Sequence, residues 1–150
     1  MSLVKASGIP SMSVGNIEKV KLIEQHILQE GTYTMHTYHT MHGGVYTRTV
    51  LLKKGYVLCG ALIKVPTTLI VSGNVIVYIG TEFSNLVGYN VVPAAKDRKQ
   101  LIIALEDTYI TMSLSTNNRT IAEIEKEFTD EYEILLSSFD PSLNTIIIGD

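Results

Sequence analysis

A series of short β-strand patterns between residues 45 and 114 constrains the fold more than any other feature of the sequence. Breaks containing Gly, Pro, Asn or Asp separate the strands, and no helical period lies between them. Strands that recur about every 8 to 12 residues favour an antiparallel sandwich or barrel over βαβ units, and seven or eight of them fit a jelly roll. The predicted strands are Val45–Leu52, Tyr56–Lys64, Leu69–Val71, Val75–Ile79, Leu86–Val92, Lys99–Leu105 and Thr108–Leu114, the first two forming a hairpin around Gly55.

Helical patterns flank this β region. An apolar period of three and four residues predicts a helix over Ile17–Glu30, capped by Asn16 and ended by Gly31. A second helix starts at Thr120, which forms a capping box with Glu123. Its apolar stripes are Ile121, Ile124 and Phe128, then, after a break at Thr129-Asp130, Tyr132, Leu135, Leu136 and Phe139, and Asp140-Pro141 ends it.

The sequence therefore divides into three parts. Residues 1–15 are an arm whose order we expect to depend on a neighbour. Residues 16–139 form the β domain with its two helices, and residues 140–150 form a tail. The tail contains the strand-like run Ile146-Ile147-Ile148, which pairs either with the chain's own sheet edge or with a second subunit. We expect the second outcome, and hence a homo-oligomer held by Ile146, Ile147 and Ile148.

Composition excludes several classes of protein. The chain of 150 residues carries a net charge of -3, which argues against a dedicated nucleic-acid binder. Its one Cys excludes an intrachain disulfide framework. No apolar run approaches the roughly 20 residues of a membrane span, and Met1–Ser13 lacks the apolar stretch of a secretory signal. We expect a soluble protein with no nucleic-acid or membrane partner.

Several short motifs resemble the cupin-like jelly-roll proteins of tailed bacteriophages. They are HGGVYTRT at His42–Thr49, Gly55, GALIK at Gly60–Lys64, SGN at Ser72–Asn74 and ALEDT at Ala104–Thr108. The resemblance covers roughly residues 16 to 130 and implies a mainly β, cupin-type double-stranded β-helix with an N-terminal helix and a short acidic C-terminal helix.

The chain departs from the metal-binding cupin pattern in two windows. In such cupins a Gly is followed by two closely spaced His, a Glu and a second Gly, and a third His follows a Pro-x-Gly turn. The first window here, Gly60–Gly73, has no His, Glu or Asp, and the second window, which starts at Pro93-Ala94-Ala95, is followed by no His. Since metals need imidazole, thiolate or carboxylate ligands, we expect no metal, no cofactor and no enzymatic activity.

Three histidines lie in one run, at His36, His39 and His42. On a strand His36 and His42 share a face and His39 points the other way, so these residues do not converge without a loop. They are minor candidates for a metal site, and the stronger interpretation places them as polar residues at a barrel edge. A third alternative places them at a subunit axis.

Other reactive residues have ordinary interpretations. Cys59 lies in an apolar alternation and is expected to be an inert, buried thiol. Glu106-Asp107 is expected to be a turn in which Asp107 caps backbone amides. Lys96, Arg98 and Lys99 form a basic cluster that either meets an acidic partner, such as the Glu-rich helix of a second copy, or is a solvated loop.

These observations predict a non-enzymatic structural protein of a bacteriophage particle, in the tail, the head-tail region or the capsid. It would be made in the host cytoplasm, incorporated into the virion and bound to other phage structural proteins. The alternative is a small-molecule or sugar-binding cupin, either without metal or as a metal-dependent enzyme that uses His36, His39 and His42.

Overall fold

A computed structural model describes residues 8–29, 35–135 and 141–149. These residues contain two α-helices and eight strands: α1 (Val14–Gln29) precedes the first strand, and α2 (Ile121–Phe128) lies between the seventh and the eighth. The strands are β1 (Thr37–His42), β2 (Val45–Leu52), β3 (Val57–Cys59), β4 (Thr67–Tyr78), β5 (Phe83–Ala94), β6 (Leu101–Ala104), β7 (Thr108–Ser115) and β8 (Asn144–Ile148). Short 3-10 segments lie at Tyr132–Ile134 and Pro141–Leu143. No described helix is long and apolar enough to cross a membrane.

The strands form one curled sheet in the order β3-β6-β4-β7-β2-β1-β8, and β5 pairs with β4. Along one side β4 pairs with β5 over its whole length. Along the other side its first part pairs with β7 and its last part with β6, so β4 joins the two halves of the sheet.

A glycine allows β4 to continue where the sequence predicted a break. Gly73 has φ +151, and a Cβ at this position would overlap the side chain of Thr108. The two predicted strands Leu69–Val71 and Val75–Ile79 therefore belong to one continuous strand. The expected break at Ser72-Gly73-Asn74 was wrong because glycine tolerates this backbone geometry without ending the ladder.

The predicted hairpin between Val45–Leu52 and Tyr56–Lys64 was also wrong. Strand β2 pairs with β1 and β7, whereas β3 pairs with β6. The hairpin forms one strand earlier, around Gly43 and Gly44, whose φ angles of 60 and 74 suit a two-residue turn. The histidine run is thus on β1, antiparallel to β2.

The buried apolar residues form three clusters, one inside the sheet, one beneath α2 and one beneath α1. Inside the sheet Val50, Leu52, Leu69, Val71 and Val75 are among the buried residues. Helix α2 packs Ile124 and Phe128 on Tyr46 and Leu114, and helix α1 packs Ile17 and Val20 on Met12 and Leu101. The burial of these apolar faces explains the helical periods read from the sequence.

The described part of the N-terminal arm packs on its own chain. Ile9 forms a parallel bridge with Ala94, and the buried Met12 donates its backbone N–H to Asp97 at 2.8 Å. The expectation that this segment needs a neighbour is wrong for residues 8–13; residues 1–7 lie outside the described residues. Ser13, not Asn16, caps α1, because its hydroxyl accepts the N–H of Asn16.

The C-terminal helix begins as expected, since the Thr120 side chain accepts the N–H of Glu123. It ends at Phe128, and Thr129 has extended backbone, which is the break the sequence suggested. Leu136 and Phe139 lie outside the described residues. The tail strand β8 runs parallel to β1, with His39 opposite Ile146.

Candidate functional site

The two windows that carry metal ligands in cupins meet in this structure. Ile63 of the first window forms an antiparallel bridge with Arg98, which follows the second window. Ile63 donates its N–H to the Arg98 carbonyl at 2.9 Å and accepts the N–H of Asp97 at 2.8 Å. The windows are therefore joined by backbone hydrogen bonds.

The guanidinium of Arg98 lies between the two windows. It donates to the carbonyls of Val65 and Ala95 and to the hydroxyl of Thr67, and the residue is 2% exposed. Its Nε has no hydrogen-bond partner among the described residues. Burial lowers the pKa of Arg98 to about 10, so it still carries its positive charge at neutral pH.

Lys99, the next residue, is also fully buried but is surrounded by carboxylates. Its ammonium lies 3.0 Å from Glu24 of α1 and 2.8 Å from Glu131, and donates to the Gly60 carbonyl at 3.0 Å. Burial alone would lower the pKa of Lys99, but Glu131 and Glu24 outweigh it and the net shift is upward. This cluster joins α1 and the segment after α2 to the barrel.

These positions correct the prediction of a basic surface cluster. The charged groups of Arg98 and Lys99 are inside the molecule, and the acidic partners of Lys99 come from the same chain. Lys96 remains exposed, so the acidic-partner prediction stands for it alone. The solvated-loop alternative fails for Arg98 and Lys99, because the loop between β5 and β6 carries these two side chains inward.

A second buried polar network lies between the sheet and α2. His39 Nδ1 is 2.7 Å from the Tyr46 hydroxyl, and His39 Nε2 is 3.0 Å from Asn144 Oδ1. Arg48 Nη1 lies 3.5 Å from the Tyr46 hydroxyl and 2.8 Å from Glu125 Oε2. The network connects β1, β2, β8 and α2.

The hydrogen bonds define the protonation of this network. Asn144 Oδ1 accepts, so His39 Nε2 carries the proton, and Nδ1 accepts from the Tyr46 hydroxyl. Burial lowers the pKa of His39, with the Asn144 hydrogen bond opposing the shift, so the ring is neutral. Burial also raises the pKa of Tyr46. The arrangement is suited to holding elements together, since His39 is fully buried and both ring nitrogens have partners.

The three histidines of the run do not converge. His36 is hydrogen-bonded to the Thr145 hydroxyl and its ring lies 4.6 Å from that of Tyr38 in a tilted arrangement, while His39 points into the network. His42 is exposed at the end of β1. Within the described residues no group of three or more His, Cys, Asp or Glu side chains is placed to hold a metal ion.

The tail isoleucines lie on a strand that extends the chain's own sheet. This is the alternative to the expected strand pairing with a second subunit. Strand β8 pairs with β1, yet Ile146, Ile147 and Ile148 remain 51, 56 and 70% exposed. The His36–Thr145 and His39–Asn144 hydrogen bonds hold β8 to β1. A subunit contact through these side chains stays a prediction.

Two further residues have the roles their environments suggest. Cys59 is half-buried, and burial raises the pKa of its thiol, with Glu24 adding to the shift. Asp107 accepts the backbone N–H of Lys54 at 2.8 Å, which holds the pKa of its carboxyl below the usual value. Asp107 thus caps the turn that follows β2.

The buried network was missed in the sequence, although a signal for it exists. Every second residue of β2 points inward. The last two of these inward residues, Val50 and Leu52, are apolar, whereas the first two, Tyr46 and Arg48, are polar. Two polar side chains in an inward series need buried partners. Arg48 pairs with the distant Glu125, and Tyr46 bonds to His39, which in turn bonds to the distant Asn144. The pattern therefore indicates the need for partners but not their identity.

Comparison with known proteins gives the fold. No protein-family profile matches the sequence, and no curated protein matches it. Among solved structures, ectoine synthase from P. lautus is 16% identical, with 64% of this chain and 73% of that chain covered and a TM-score of 0.50. The plu4264 protein from Photorhabdus luminescens is 12% identical, with 85% and 98% covered and a TM-score of 0.49.

An RmlC-like cupin with a double-stranded β-helix from Methanocaldococcus jannaschii is 14% identical, with 57% and 84% covered and a TM-score of 0.46. The chain has a cupin-type jelly-roll fold. The predicted fold class is confirmed, including the two flanking helices. At these identities the likeness shows the fold alone, and the fold hosts enzymes and proteins of other kinds.

Proposed function

We propose that this chain is a non-enzymatic structural or assembly protein of a bacteriophage particle, a cupin-fold module that has replaced its metal site with side-chain packing. The observation that carries the proposal is the buried Arg98 guanidinium, which lies between the two windows and bonds to Val65, Ala95 and Thr67. A module of this kind works through its surface and not through its barrel.

The charge of Arg98 opposes a metal at this place. A divalent cation between the windows would lie beside a buried positive charge in a medium that screens poorly. The oxygen atoms that a metal could bind here belong to a threonine hydroxyl and two backbone carbonyls. All three already accept hydrogen bonds from the guanidinium. Such neutral oxygens do not replace the imidazoles and carboxylates of a transition-metal site.

The assignment to a phage particle is supported by the sequence motifs that resemble tailed-phage cupins, such as HGGVYTRT and ALEDT. In this proposal the protein is made in the host cytoplasm, becomes part of the tail, head-tail region or capsid, and binds other phage structural proteins. Mass spectrometry of purified virions tests it. The protein is expected at a fixed copy number relative to the major capsid protein, and its absence from virions contradicts the assignment.

The absence of a metal site has its own test. Elemental analysis of untagged protein is expected to find far less than one equivalent of zinc, iron, nickel or manganese per chain. One equivalent that disappears in His39→Ala would contradict the proposal. The matched control is His42→Ala, because His42 is exposed and lies outside the buried network.

A second function, a small-molecule or sugar-binding cupin, is favoured by one specific observation. Thr37 is fully buried on the same face of β1 as His39, and its hydroxyl has no hydrogen-bond partner among the described residues. A ligand hydroxyl would satisfy it. Thermal shift measurements with a panel of monosaccharides and uronic acids distinguish the structural function from the sugar-binding function. A ligand that raises the melting temperature of the wild type but not of Thr37→Val supports the sugar-binding function.

A further inference from the structure

The outer face of the sheet from β8 to β4 has no Asp, Glu, Lys or Arg side chain. The described strands β8, β1, β2, β7 and β4 contain a single residue of these types, Arg48, and it pairs with Glu125 of α2 on the inner face. Both described helices pack elsewhere, α2 on the inner residues Tyr46 and Leu114 and α1 on Leu101 of β6. The outer face is therefore uncharged, and the described helices do not cover it.

Four hydroxyl side chains lie together at the centre of this face. Thr47 is opposite Ser113 and Thr49 is opposite Thr111 in the pairing of β2 with β7. The hydroxyl oxygens of the first pair are 3.3 Å apart, and those of the second pair are 2.8 Å apart. All four residues are half-buried, so each keeps some contact with solvent. We call Thr47, Thr49, Thr111 and Ser113 the hydroxyl block.

Further hydroxyl groups and two tyrosines border the hydroxyl block. Thr40 and Thr68 continue one row of the block onto β1 and β4. Tyr38 lies on β1 opposite Thr49, and Tyr109 lies on the same face of β7, two positions before the block. Tyr38 and Tyr109 are 43 and 51% exposed. The two aromatic rings therefore flank a polar, uncharged surface that crosses four strands.

The hydroxyl block has hydrogen-bonding capacity left for a ligand. Two hydroxyl groups offer two donors and four acceptor lone pairs, and a bond between them uses one of each. Each pair in the block therefore keeps one donor and about three acceptor sites. A sugar hydroxyl also donates and accepts, so it matches this capacity. A carboxylate or phosphate only accepts, and it binds best to charged donors, which this face lacks.

The composition of the face argues against other classes of partner. Binding to nucleic acid depends on Lys and Arg side chains that neutralise phosphates, and the outer face of these strands has none. Protein interfaces are depleted in Ser, and Ser and Thr seldom carry much of their binding energy. Binding to a lipid surface uses a continuous apolar face or basic residues, and the hydroxyl block interrupts any apolar face here. An uncharged ligand rich in hydroxyl groups fits this surface best.

We propose that the outer face of this sheet binds an uncharged polysaccharide, with Tyr38 and Tyr109 packed on sugar rings and the hydroxyl block bonded to sugar hydroxyls. The apolar faces of sugar rings pack on exposed aromatic rings, whose hydroxyl end stays in water. The inference goes beyond the proposed function, because it concerns the outer face and holds whether or not the protein belongs to a particle. It also differs from a sugar site on the inner face, where Thr37 lies.

Native affinity electrophoresis of the full chain tests the class of ligand. Each gel contains one neutral polysaccharide, namely dextran, galactomannan, arabinoxylan or mixed-linkage β-glucan, or one of the anionic polysaccharides alginate and heparin. We expect at least one neutral polysaccharide to retard the wild type and neither anionic one to do so. Isothermal titration calorimetry with the retarding polysaccharide should give the same dissociation constant at about 0.05 M and about 0.5 M salt, because no ion pair contributes to binding.

Matched pairs of variants test the location of the site. Tyr109→Ala is expected to raise the dissociation constant about 10-fold, because it removes a large and rigid contact surface. Its control is Tyr56→Ala, since Tyr56 is 46% exposed but lies outside this face. Thr111→Val keeps the side-chain shape, removes one hydroxyl of the block and is expected to raise the constant about 5-fold. Its control is the same change on the inner face, Thr37→Val. Circular dichroism melting confirms that the four variants fold.

Four outcomes overturn the proposal. The first is that no neutral polysaccharide retards the wild type. The second is retention by alginate or heparin that salt weakens, which indicates an anionic ligand. The third is a dissociation constant that neither Tyr109→Ala nor Thr111→Val changes. The fourth is binding that Thr37→Val abolishes and both outer-face variants retain, which assigns the sugar to the inner face. Virion mass spectrometry depends on none of these measurements, so the proposed function and this inference can fail separately.

Discussion

Arg98 and Lys99 are adjacent in sequence and equally buried, yet their surroundings differ. Lys99 contacts two carboxylates, those of Glu24 and Glu131. Arg98 contacts neutral oxygens of Val65, Ala95 and Thr67. Their pKa values shift in opposite directions: carboxylates raise that of Lys99 above its usual value, and burial lowers that of Arg98 to about 10.

The difference shows two ways of keeping a charge inside a small domain. Lys99 neutralises carboxylates from two separate segments, so it fixes their positions relative to the barrel. The guanidinium of Arg98 uses its fixed fork of donors to bind oxygens from both cupin windows. Lys99 joins elements of the fold, and Arg98 joins the two windows.

Replacing Lys99 should have the largest effect on stability. Lys99→Met leaves Glu24 and Glu131, whose side chains are 16 and 21% exposed, beside each other without their cation. Removing one partner of a buried ion pair costs about 3–5 kcal/mol. Urea unfolding measures the loss, and a cost below about 1 kcal/mol would show that the carboxylates turn to solvent.

A charge-neutral version provides the control. The triple variant Lys99→Met, Glu24→Gln, Glu131→Gln removes the unpaired charges together with the ammonium. It should regain part of the stability lost in Lys99→Met, because neutral amides are less costly to bury than carboxylates.

Replacing Arg98 should cost less. Arg98→Met loses the hydrogen bonds to Val65, Ala95 and Thr67 but also removes a buried positive charge, so the net loss is about 1–3 kcal/mol. Thr67→Val, which removes one of these acceptors, is the matched smaller change. If Arg98→Met is more destabilising than Lys99→Met, the proposed difference between the two cations is wrong.

The same pair shows what the sequence could and could not predict about the site. The absence of metal ligands in the windows is visible in the residues themselves. The inward direction of Arg98 and Lys99 is not, because it depends on a loop after β5 and on partners such as Glu24 and Glu131 from distant segments. A run of basic residues looks the same whether it is solvated or buried.

The fold was more predictable than the site. Strand periods and the Thr120 cap depend on neighbouring residues, and they were recovered. Strand pairing depends on contacts distant in sequence, so the hairpin was placed one strand too late. Gly73 was interpreted as the end of a strand, because a glycine that ends a strand and one that lies within it give the same local pattern.

The smallest predicted effect concerns His39, a buried titratable group kept neutral, in contrast to the two cations. Burial lowers its pKa in the folded chain below the unfolded value of 6.5. As the pH falls below about 6.5, the unfolded chain binds a proton before the folded chain does, so stability present above this pH is progressively lost. Urea unfolding from about pH 7 to about pH 5 should show this slope in the wild type and a shallower slope in His39→Gln, whose amide retains hydrogen bonds to Tyr46 and Asn144. An equal slope in wild type and His39→Gln would mean that the His39 ring takes up its proton at the same pH in the folded and the unfolded chain, and the contrast with Arg98 and Lys99 would no longer hold.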